Sequence, residues 1–89
     1  MNGFAEEHLK FFDSVVLFAD FWKRSSNLTI DFTLTSSEET SKVVFLFEDE
    51  DINETNLFFH HVLRHFFPSN LVSKISFIHP NSVELIMKK

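Results

Sequence analysis

The apolar residues of this chain keep two rhythms, and the rhythm switches three times between the first residue and the last. Phe4, Phe11, Val15, Phe18 and Trp22 recur at helical spacing, with Leu9, Phe12, Val16 and Ala19 as a second row beside them. That spacing predicts a helix over residues 4–24. Glu6 and Glu7 stand near its start and Lys23 and Arg24 near its end, the order the helix dipole favours. The two rows together are wider than one buried stripe requires. Leu17 and Phe21 lie on the polar side of this helix, where a core has no use for them.

From Leu28 to Thr35 the period drops to two. Leu28, Ile30, Phe32 and Leu34 share one face, and Thr29, Asp31, Thr33 and Thr35 the other, which is a strand with one buried side. Ser36–Ser41 has hairpin length. Lys42–Phe47 then runs apolar without a break, as expected of a strand covered on both faces. The acidic run Glu48–Asp51 ends it. Asp51, with Glu54 three residues on, fits a capping box opening a helix from Ile52 to Phe67, and Pro68 stops that helix. Phe59, Leu63 and Phe66 line one face of it, flanked by Phe58 and Val62; His60, His61, Arg64 and His65 line the other. After a short connection over Ser69–Ser73, two more strands are expected at Lys74–His79 and Val83–Lys88, joined by a turn through Pro80.

The resulting order is α-β-β-α-β-β. Its simplest packing is an α+β two-layer sandwich: a four-stranded, mainly antiparallel sheet with both helices on one face. With 89 residues there is room for one domain, taken here as residues 1–89. If Leu28, Ile30, Phe32, Val43, Phe45, Phe47, Ile75, Phe77, Val83 and Leu85 face the helices, Val44, Leu46, Ile78 and Ile86 are left on the far side. Polar Thr29, Asp31, Thr33, Ser76 and Glu84 surround them. An apolar middle with a polar margin is the composition of an interface.

Composition narrows the functional classes. Thirteen phenylalanines are more than a core of this size hides, so some are expected on a surface that meets a partner. Absence of cysteine removes disulfides, thiol nucleophiles and Cys-ligated zinc. A single glycine leaves no phosphate-cradling loop. Eight basic residues against thirteen acidic give a net charge of −5, which disfavours nucleic acid as a partner. No stretch reaches the length of a membrane span. The acidic opening Met-Asn-Gly-Phe-Ala-Glu-Glu is unlike a signal peptide, so an intracellular compartment, cytoplasmic or nuclear, is expected.

Chemistry-bearing patterns are weak. His61 and His65 stand one turn apart, as two zinc ligands would, but Arg64 lies between them and a third ligand must come from distant Glu54, His8 or His79. Asp49, Asp51 and Asn53 alternate as in a calcium loop, yet the glycine and the bidentate glutamate that such a loop needs are missing. No strained Gly-x-Ser-x-Gly elbow is present. Neither a metal nor a cofactor is expected, and no catalytic residue.

The expected function is therefore a non-enzymatic protein-protein interaction subunit that homodimerises or docks into a larger assembly. The candidate contact residues are Val44, Leu46, Ile78 and Ile86 on the sheet, with Leu17 and Phe21 on the first helix. The alternative is an acidic inhibitor or immunity-type protein that covers a basic target with Glu48, Asp49 and Glu50, aided by Glu38 and Glu39. A metal-dependent enzyme built on the histidine pair is the third reading.

Overall fold

The two rhythms resolve into six elements. Helix α1 spans Gly3–Ser26; strands β1 (Ile30–Ser36) and β2 (Ser41–Phe47) follow; helix α2 (Leu57–Phe66) precedes β3 (Val72–Ile78) and β4 (Ser82–Met87). The computed structural model describes residues 3–48, 52–53, 55–78 and 80–89, with side chains from residue 6 onward. The strands form one antiparallel sheet in the order β1-β2-β4-β3. Phe18 of α1 lies over Phe45 and Phe47 of β2, and Phe59 of α2 lies over Phe47 and over Phe77 of β3. Both helices therefore rest on the same sheet face, and the fold is the expected α+β sandwich.

Only one row of α1 is buried: Phe11, Val15, Phe18 and Trp22. Phe12 and Ala19 from the second row are half-covered, and Leu9 and Val16 stand exposed. The helix ends where Asn27 takes a left-handed φ of 59° and its N–H reaches the Lys23 carbonyl, a cap that asparagine tolerates better than most residues. Around Phe18 the aromatic rings converge. Phe45 lies at 4.9 Å, Phe66 at 5.8 Å, Phe67 and Trp22 at 5.9 Å, and Phe59 at 6.3 Å between centroids. Stacked, tilted and edge-on pairs of this kind add about 0.5–1.5 kcal/mol each beyond the area they bury.

Three expectations are corrected. Helix α2 begins at Leu57, not Ile52. Ile52 is buried in the core and donates its N–H to the Pro80 carbonyl. The Asn53 carboxamide accepts from the Thr55 N–H at 2.9 Å, and Asn56 caps the helix by accepting from the Phe59 N–H at 2.9 Å. Asp51 and Glu54, the expected capping pair, lie outside the described residues, as do Asp49, Glu50 and His79. Second, β2 is buried on one face only: Val43, Phe45 and Phe47 are covered, whereas Lys42 and Leu46 are exposed. With both helices on one side, no described element lies over the other. Third, β1 faces the helices with Ile30, Phe32 and Leu34 but contributes no fully buried side chain.

Candidate functional site

Of the thirteen phenylalanines, Phe11, Phe18, Phe45, Phe47, Phe59 and Phe67 are fully buried and Phe12, Phe66 and Phe77 partly so. Phe21, Phe32 and Phe58 are exposed. Two of these three meet at one place, the seam between α1 and α2.

Phe21 projects from the flank of α1 that faces α2, and its ring lies 5.4 Å from that of Phe66. It forms a shared wall between two adjoining grooves. One, of about 310 Å³, is lined by Phe21, Val62 and Phe66 with His61 and His65 at its polar side. The other, of about 360 Å³, is lined by Phe21, Trp22 and Phe58 with Ser25, Ser26 and Asn56. Leu17, one turn before Phe21, is 58% exposed, and Phe58 is 68% exposed. The seam thus has an aromatic floor, an apolar wall and a hydroxyl, amide and imidazole rim. Each groove has the volume of one or two large side chains.

On the outer sheet face the candidate residues are dispersed. Strand register sets three rows across it: Thr35–Lys42–Ile86–Lys74, Thr33–Val44–Glu84–Ser76 and Asp31–Leu46–Ser82–Ile78. Val44 and Leu46 are neighbours along β2, and Ile86 stands diagonal to Val44. Ile78, however, sits on an edge strand with Ser82 between it and Leu46. Lys42 and Glu84 form an ion pair of 3.7 Å across the face. The structure therefore brings Leu17 and Phe21 to a surface with further aromatics and does not gather Val44, Leu46, Ile78 and Ile86 into a dry centre.

Of the acidic candidates, Asp49 and Glu50 lie outside the described residues. Glu48 follows β2, whereas Glu38 and Glu39 occupy the hairpin before it, roughly 20 Å away along a seven-residue strand. Glu39 is also paired with Lys89 at 3.4 Å.

A serine–histidine contact does occur. Ser41 Oγ shares hydrogen bonds with His8 Nδ1 at 2.5 Å and Ser36 Oγ at 2.6 Å. Ser41 is completely buried, so these contacts tie the start of α1 to the β1–β2 hairpin and keep the Ser41 hydroxyl closed to solvent. Among the described residues no three His, Asp or Glu side chains come together as a metal site, and no helix is long and apolar enough to cross a membrane.

Phe58 is the residue sequence reasoning missed. Its helical position groups it with Val62, which is buried, but it stands in the first turn, beyond the cover of α1. The signal was Asn56: a cap two residues before Phe58 puts that ring at an open helix end. No family model, curated protein or solved structure matches the chain.

Proposed function

We propose that this chain is a non-enzymatic protein-interaction subunit that holds an apolar segment of another protein in the seam between α1 and α2. The observation behind this reading is the exposure of Phe21 and Phe58 side by side on grooves of side-chain size. Leaving a phenylalanine in water forgoes roughly 2–3 kcal/mol of burial each. Aromatic residues with a polar rim are the enriched composition of protein interfaces. An amphipathic helix entering the seam would place side chains one turn apart in the two grooves, the spacing that helix-in-groove recognition uses.

The acidic-inhibitor reading has less support, because Glu48 and the Glu38–Glu39 pair sit at opposite ends of β2. The metal-dependent reading would need a third ligand beside His61 and His65, and among the described residues no such group of three comes together.

Affinity capture with the immobilised full chain tests the proposal. The expected result is a partner retained in high salt by the native chain and lost to Phe58→Asp, at the more exposed position, and to Phe21→Asp, with thermal melts showing that each variant is folded. Equal retention by native and variant chains would remove the seam as the docking surface. Retention that disappears as salt rises would restore the acidic reading.

A further inference from the structure

The order β1-β2-β4-β3 leaves two sheet edges, and they are built differently. On β3 the ladder is interrupted by a register shift between Val72 and Lys74, and Lys74 itself is exposed. Its inward residues are covered: His60 and Phe59 of α2 lie 4.8 and 6.0 Å from Phe77. A bulge, a lysine and a covering helix are the devices that keep an edge from pairing.

Strand β1 has neither the bulge nor the lysine, and although α1 runs over it, its side chains stay largely exposed. Ile-Asp-Phe-Thr-Leu-Thr-Ser pairs with β2 at all seven positions without a shift, and it contains no lysine, arginine, proline or glycine. Phe32 and Leu34 point toward the helix layer yet remain 41% and 37% exposed. On the flank of α1 away from α2 stand Phe12 and Ala19, partly covered, and next to them toward solvent Leu9 and Val16, about 60% exposed. One apolar strip therefore runs from α1 down to an open row of backbone donors and acceptors.

We infer that this edge pairs with β1 of a second copy of the chain, antiparallel about a two-fold axis at Thr33, giving a continuous eight-stranded sheet. The inference rests on the interaction reading above and adds a second copy as a partner, at a different surface. Self-complementarity selects this occupant. Centring the axis on Thr33 pairs all seven residues, and a shift to either side loses pairs. Phe32 then lies opposite Leu34 of the copy on the helix side, and Asp31 opposite Thr35. The two Asp31 carboxylates end up four residues apart, roughly 14 Å at strand spacing, beyond the screening length of about 10 Å. Because a two-fold axis normal to the sheet keeps faces in common, both α1 helices lie on one side. Each runs over β1 and β2. Their axes come about 10 Å apart, the distance at which helices pack, with Phe12 and Ala19 on the facing flanks and Val16 above them. The α1–α2 seams stay open on the far flanks. About a dozen residues a side is less than a standard interface, so the dimer dissociates on dilution.

Because the chain contains no cysteine, introduced thiols report the register directly. In the Thr33→Cys variant the two copies bring Cα atoms to about 4.5–5.5 Å, within disulfide reach; in Thr35→Cys the two thiols are roughly 14 Å apart. Mild oxidation should give a covalent dimer from the first and monomer from the second. Thr33→Lys sets two ammonium groups across the axis on the exposed face and should weaken self-association at least about tenfold with an unchanged thermal melt. Crosslinking of Thr33→Cys should survive the added Phe21→Asp or Phe58→Asp. Equal crosslinking at both positions, crosslinking at neither, or a Thr33→Lys chain that associates like the native one overturns the proposal. Crosslinking lost with Phe21→Asp overturns it as well, by moving self-association to the seam. If crosslinking is intact while seam variants still capture the partner, the seam reading fails and the dimer stands.

Discussion

Phe45 and Phe58 carry the same side chain and opposite consequences. Phe45 is fully buried and touches Phe18, Phe32 and Phe67 at 4.9–6.1 Å between centroids. Truncating it removes its transfer energy and leaves a cavity that a sheet centre cannot collapse to fill. Phe45→Ala should cost about 3–5 kcal/mol, a large part of the roughly 5–15 kcal/mol that holds a domain folded. Phe58→Ala, at 68% exposure, should change stability by no more than about 0.5 kcal/mol. Chemical denaturation of the two variants beside the native chain checks both statements. Similar losses at both positions would mean that the helix layer covers Phe58 in solution. Phe45 was legible in the sequence because it stands inside an unbroken strand-length run. The exposure of Leu9 and Val16 was not. Helical periodicity shows that a second row exists on α1, but how far the neighbouring elements reach decides whether that row is covered.

Among the elements, the start of α2 shows how local signals compete. Asp51 and Glu54 satisfy a capping rule, but Asn53 and Asn56 satisfy caps and turns of their own two and five residues beyond Asp51. The tie is broken by tertiary structure, since Ile52 is needed in the core and its N–H is taken by Pro80. Asn56→Ala should remove the bond to the Phe59 N–H and cost about 1 kcal/mol, a fall in melting temperature of roughly 4–8 °C for a domain of this size. Asn56→Ser should recover most of it. A melt unaffected by Asn56→Ala would place the helix start elsewhere. Strand alternation, in contrast, could be read almost residue by residue, because a period of two leaves no freedom once one face is buried. The apolar run of β2 misled only about its outer face, where Val44 and Leu46 occur without a covering layer.

For the whole molecule, coverage is the governing quantity. Two helices about 10 Å across can shield about four strands spaced 4.8 Å apart, with nothing to spare. Phe18 and Phe21 draw α1 toward Phe66 of α2, and β1, although α1 runs over it, keeps no fully buried side chain. The element order and the single-sided helix layer were legible in the sequence. The position of the helices over the sheet was not, since it depends on side-chain contacts between residues some fifty positions apart. Apolar surface remains on both flanks of α1, at the seam and at the β1 edge, while Glu48 and the Glu38–Glu39 pair stand at opposite ends of β2. The central claim is accordingly that this chain associates through apolar contact and not through its charge. Sedimentation of the full chain from about 1 to about 300 μM, at low salt and again at about 0.5 M, tests it most directly. The mass should rise with concentration from 10.5 kDa toward twice that value, with a midpoint that does not move to higher concentration as salt increases. A species of 10.5 kDa at every concentration in both salts, or association present at low salt and abolished at high, would contradict it.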